Sequence, residues 1–74
     1  MEMEGTIQSV NVPCRELSIE VGGELRPFDV GAECAVWLHG ERVKLRILQT
    51  GDRVRISYMA QDGIPRALQI RVLG

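Results

Sequence analysis

The sequence predicts an all-β fold: a small closed or partly open barrel of five to six antiparallel strands, OB-like or SH3-like, with residues 1–74 forming a single domain. Three observations carry this expectation. Apolar side chains recur at every second position in four separate stretches, the period of a half-buried strand. Glycines punctuate the chain at short intervals, at Gly22-Gly23, Gly31, Gly40, Gly51 and Gly63, where tight turns need positive φ. The apolar set is rich in Val, Ile and Leu, with one Trp, one Tyr and one Phe, and β-branched residues fit a pleated surface. Short strands between glycine turns describe a barrel or sandwich.

Each element follows in chain order. The first strand spans about Met3 to Val12. Its alternation breaks, because Ile7 and Val10 cannot share a face in a regular strand, and a bulge near Gln8 or Ser9 repairs it. The second, Glu16 to Val21, places Leu17, Ile19 and Val21 inward. The third, Leu25 to Val30, contains Pro27, which has no N–H and so belongs at an edge or a break. The fourth, Cys34 to Leu38, turns Cys34, Val36 and Leu38 one way and Ala35, Trp37 and His39 the other. His39-Gly40 then reverses the chain. The spacing of Val43, Leu45 and Leu48 predicts at most one short helical turn near 43–50, closed by Gly51 as a cap. The fifth strand, Arg53 to Met59, buries Val54, Ile56 and Tyr58. Asp62-Gly63 makes a hairpin turn. The sixth, Pro65 to Leu73, buries Leu68, Ile70 and Val72.

Size and charge bound the function. A chain of 74 residues has a thin stability margin, since one core below ~80 residues rarely supplies more than ~3–5 kcal/mol. No apolar run approaches the ~18 residues of a membrane span, so no membrane association is expected. The acidic start MEMEGT lacks the basic-then-apolar order of a signal peptide, so the sequence reads as cytoplasmic. Cys14 and Cys34 are too few for a disulfide framework and are expected to be reduced. Residues 1–37 hold seven acidic and two basic side chains, and residues 38–74 hold three and seven. The halves are therefore −5 and +4, a split that fits either a polyanion site or acidic strands paired with basic ones.

The segments GTIQSV, RELSIEV, FDV, AVWLHGERVKL, LQTGDRVRISY and ALQIRVL together resemble a widespread group of small bacterial β-barrel domains that have no agreed activity. The resemblance covers nearly the whole chain and implies a compact OB-type or SH3-type barrel. Thr50 stands where such domains usually carry proline, and His39 where Asp or Asn usually opens the turn.

Catalysis is not expected. No GxSxG, P-loop or HExxH occurs, the lone His39 has no patterned partners, and no cofactor is implied. The leading expectation is a non-catalytic interaction module that pairs with itself, as a homodimer, or with another protein chain. It would use an edge strand or an exposed face of Trp37, Ala35 and Met59. The alternative is single-stranded nucleic acid, gripped by Arg42, Lys44, Arg46, Arg53 and Arg55 with Trp37 as stacking platform. A further alternative is a copper-binding barrel using Trp37, His39 and Met59, residue types that suit a soft ion. Those types are similar to the ligands of periplasmic copper-carrying OB barrels, although the two methionines that follow the tryptophan closely in that motif are absent. No metal is the leading expectation. Arg53 and Arg55 are expected to pair with Glu16, Glu20 or Glu24.

Overall fold

The first strand bends where its alternation fails. In the computed structural model, which describes residues 1–74, β1 (Glu2–Asn11) pairs Ile7 with Ile19 and Ser9 with Ser18 of β2 (Glu16–Val21), leaving Gln8 as the extra residue of a bulge. The bulge lets Ile7 be fully buried while Val10 packs against the core from its edge. Gly22 and Gly23, both at positive φ, make the two-residue turn that pairs Val21 with Glu24.

The chain then departs from the expected order. The third and fourth predicted strands are one strand, β3 (Glu24–Leu38), which remains extended through Gly31. Pro27 lies in the part of β3 that precedes its pairing with β6, whose first partner on β3 is Asp29. Asp29, two residues on, turns its N–H away from β2 to Pro65 O, and the nitrogen of Pro27 faces the same side. Its missing N–H therefore costs no ladder bond. A three-residue β4 (Glu41–Val43) folds back on the end of β3 across His39-Gly40. Both turn residues have positive φ, 53° and 80°. This is the conformation of a two-residue hairpin turn, and histidine tolerates it better than most side chains.

A single 3₁₀ turn, Leu45–Ile47, follows, with Leu45 and Leu48 buried. It is capped at Leu48. Gly51 instead donates its N–H to Ile7 O at 2.8 Å, tying the turn to β1. The last hairpin is β5 (Arg53–Met59) and β6 (Arg66–Val72). Here the expected register slips. Ser57 pairs with Gln69 but Tyr58 pairs with Ala67, so Leu68 bulges outward, 42% exposed, and Ala67 takes the core position instead.

The sheet order is β2-β1-β5-β6-β3-β4, and β2 also pairs with β3. Five strands close into a barrel, and β4 is appended to it. The β3–β6 seam is parallel while every other pairing is antiparallel. The interior is wholly apolar: 13 buried side chains, none polar or charged. Tyr58 meets Phe28 edge-on, with ring centroids 5.3 Å apart. No helix is long and apolar enough to cross a membrane.

Candidate functional site

The parallel seam has a defect, and the site is built on it. β3 advances five residues, Val30 to Ala35, while β6 advances two, Ala67 to Gln69. The intervening stretch of β3 swings away from the ladder, and its backbone needs other partners. Arg15, in the β1–β2 turn, supplies them where the stretch begins. Its Nε donates to Val30 O at 3.0 Å and its Nη2 to Gly31 O at 2.9 Å. Its own carbonyl accepts from Val30 N at 2.8 Å. Arg15 reaches this position with φ of 53°, an uncommon conformation for arginine.

A cleft of about 460 Å³ opens beside this latch, between the β1–β2 turn, the swung-out part of β3 and the segment from β4 into the 3₁₀ turn. That size lies within the usual range of small-ligand sites, roughly 300–1,000 Å³. Its apolar lining includes Cys34, Val36, Val43 and Leu45. Its charged lining is Arg15, Arg42, Lys44 and Arg46, with no carboxylate among the lining residues. None of the four takes part in an ion pair.

Cys34 sits in this wall. Burial pushes its thiol up from 9.0 to about 11, against the opposing pull of Arg15 and Arg42. The thiol is therefore neutral near pH 7 and is no nucleophile. The other cysteine, Cys14, is exposed. Iodoacetamide at pH 8 is expected to add one group to the folded chain, at Cys14, and a second only after unfolding, read by intact mass. The pH sign follows from the same shift. The unfolded thiol loses its proton above about 9 while the folded one holds it to about 11, so stability falls as pH rises through that window. Cys34→Ala is expected to flatten the slope.

The residues singled out from the sequence divide into separate places. Arg42, Lys44 and Arg46 gather at the cleft. Arg53 and Arg55 do not. Both reach Glu4, Arg55 Nη2 at 2.8 Å from Oε2 and Arg53 Nη2 at 3.8 Å from Oε1. The expected acidic partners on β2 and at the start of β3 are replaced by Glu4 because β1, not β2, lies beside β5. Trp37 and Ala35 lie two apart on β3 and are half-buried. The indole N–H of Trp37 is buried without a partner. Met59 pairs with Arg66, whereas Trp37 pairs with Arg71, five residues along β6. At about 3.3 Å per residue that is roughly 16 Å of strand, so Trp37, Ala35 and Met59 do not form one patch. The same separation breaks up Trp37, His39 and Met59 as a ligand set. No group of three His, Cys, Asp or Glu side chains is gathered for a metal ion either. Arg15 was not singled out from the sequence, where it is one cation in an ordinary turn.

No protein-family model matches the chain, and no curated protein matches it in sequence. Two solved structures share its fold. One is CusF with Ag(I), with a TM-score of 0.76 at 12% identity over 99% of this chain and 96% of that one. The other is a tryptophan-to-alanine variant of CusF from Escherichia coli with Cu(II), with a TM-score of 0.77 at 12% identity over 100% and 91%. At this identity the likeness establishes the shared barrel, and the chain is structurally similar to CusF.

Proposed function

We propose that this protein is a non-catalytic, OB-like binding module whose ligand is anionic and is seated in the Arg15–Arg42–Lys44–Arg46 cleft. The observation that carries this is the lining itself: four cations, no carboxylate, over an apolar floor. Like charges crowded at a concave, partly apolar surface focus a positive potential. The OB assignment is supported by the strand order. With β4 set aside, the ring runs β1-β2-β3-β6-β5 and back to β1. OB barrels bind through the second and third strands and the loop between the first and second. Here the cleft uses β3 and that same loop.

The Ag(I) held by CusF suggests a soft-metal reading for this chain as well. The side chains do not fit it, since Trp37, His39 and Met59 are not brought together and no group of three His, Cys, Asp or Glu side chains is gathered.

The test uses two anionic probes, a labelled single-stranded oligonucleotide and 8-anilinonaphthalene-1-sulfonate, each titrated at about 50 and about 200 mM salt. Saturable binding of at least one, weaker at the higher salt, is expected. Replacing Arg42, Lys44 and Arg46 together by glutamine is expected to weaken it by about tenfold or more, since each charge-assisted contact is worth roughly 1.5–3 kcal/mol. All three side chains are exposed, so stability should change little. Failure of both probes to bind, or binding that ignores the triple substitution, overturns the proposal.

A further inference from the structure

We infer that the cleft selects an amphipathic anion, a molecule with an apolar body ending in a carboxylate or phosphate, rather than a nucleic acid strand; this rests on the anionic-ligand reading above. The cations alone do not decide between these classes. The rest of the lining does. Six of the ten lining residues are hydrophobic and the other four are Arg15, Arg42, Lys44 and Arg46. Among side chains the cleft therefore offers donors, but no side-chain amide, carboxylate or hydroxyl to accept. The neutral Cys34 thiol is turned to Ala35 O at 3.9 Å.

A nucleobase carries N–H donors and acceptors on its edges, and burying a donor without a partner costs free energy. An ionised carboxylate or phosphate presents acceptors, matching the donors of the four cationic side chains. Its hydrocarbon body presents nothing polar to the floor of Val36, Val43 and Leu45. Bases are also commonly held by aromatic stacking, and no aromatic residue lines the cleft. The one exposed-face candidate, Trp37, is half-buried on the outer side of β3.

One of the cations is also fixed before a ligand arrives. Two of the guanidinium nitrogens of Arg15 are committed to Val30 O and Gly31 O, so its position is set by the fold and one terminal nitrogen remains to meet an anion. Arg42, Lys44 and Arg46 are exposed and unpaired, free to close over a head group. A ligand therefore has less ordering to do than on a mobile surface.

The experiment is displacement of bound 8-anilinonaphthalene-1-sulfonate from the wild-type chain, with emission from the single Trp37 confirming that the barrel stays folded. Decanoate and decyl phosphate are expected to displace the probe. Decanol, which lacks the charge, and inorganic phosphate, which lacks the apolar body, should each be weaker by about tenfold or more. The oligonucleotide should not compete. Val43→Asn, at a half-buried position of the floor, is expected to weaken decanoate and leave inorganic phosphate unchanged. Tighter competition by the oligonucleotide than by decanoate overturns this inference while leaving an anionic ligand standing. Binding to phosphatidylglycerol vesicles without binding to free decanoate overturns it too, because the site then reads a charged surface and not a single molecule. Equal displacement by decanol and decanoate overturns both the inference and the anionic reading beneath it.

Discussion

Ile56→Ala is expected to destabilise the barrel by about 2–5 kcal/mol, the range for removing a buried isoleucine side chain to Cβ. Ile56 has no solvent exposure and lies at the centre of β5, opposite Met3 on β1 and Ile70 on β6. Two strands therefore lose contact with it at once, and the closed ring limits how far they can collapse into the gap. A domain of this size holds ~3–5 kcal/mol in reserve, so the upper part of the range leaves much of the population unfolded at room temperature. For a domain of 60–100 residues each kcal/mol moves the melting temperature by about 4–8 °C. Urea unfolding should show a lower midpoint with an unchanged slope, because the surface exposed on unfolding is almost the same. A cost below ~0.5 kcal/mol, typical of surface substitutions, would place this side chain outside the core.

The burial of Ile56 is legible in the amino-acid sequence, and the reason is physical. A two-residue period names its own buried face, and Val54-Arg-Ile56-Ser-Tyr58 has one reading. The break between Ile7 and Val10 is equally plain, since a strand cannot bury both without an extra residue, and the bulge falls at Gln8. What stays hidden is set between strands. Leu68, Ile70 and Val72 alternate cleanly, yet the register slip against Tyr58 turns Leu68 out and Ala67 in. Gly31 reads as a turn, yet β3 runs through it, because the parallel seam with β6 absorbs the irregularity as a bulge.

The candidate site divides the same way. Arg42, Lys44 and Arg46 are close in sequence, and they gather because the whole segment from β4 into the 3₁₀ turn, Val43 and Leu45 included, lines the cleft. Arg53 and Arg55 alternate too, but Glu4 occupies them, which depends on β1 lying beside β5. Arg15 gives no signal of its own, because its role depends on two carbonyls 15 and 16 residues away. Closure also removes much of the edge that strand-to-strand self-association needs. The appended β4 is three residues long and carries Glu41 and Arg42, a short, charged edge of the kind that discourages pairing with another chain.

Gly5→Ala is expected to be comparable in damage to the loss of the Ile56 side chain, although it adds only one methyl group. Along β1, residues Glu2 to Thr6 pair with β5, and Thr6 to Asn11 pair with β2. Gly5 stands at the handover, where β1 leaves one neighbour for the other and the backbones pass close together. A Cβ at this position would lie 2.5 Å from Glu20 O, 2.8 Å from Val21 Cγ2 and 3.0 Å from Ile19 Cδ1. The nearest of these is backbone in the adjacent strand, and Ile19 is fully buried. Relief therefore requires β1 and β2 to separate at the point that closes the ring. Overpacking in a core typically costs about 1–3 kcal/mol and more where backbone must move, so about 3 kcal/mol or more is expected here. Gly31→Ala is the control. Its added Cβ would meet only the Glu33 side chain, with Oε1 at 2.9 Å, and Glu33 is exposed and can turn aside. The one contact at risk is the exposed pair of Glu33 Oε1 with Arg66 Nη1, 3.7 Å apart, which is worth little, so alanine's restriction of the unfolded chain should dominate and stabilise by up to about 1 kcal/mol. Thermal melts of the two variants should thus move in opposite directions. A Gly5→Ala protein that melts within a degree or two of wild type would mean that β1 and β2 do not approach this closely where the barrel closes.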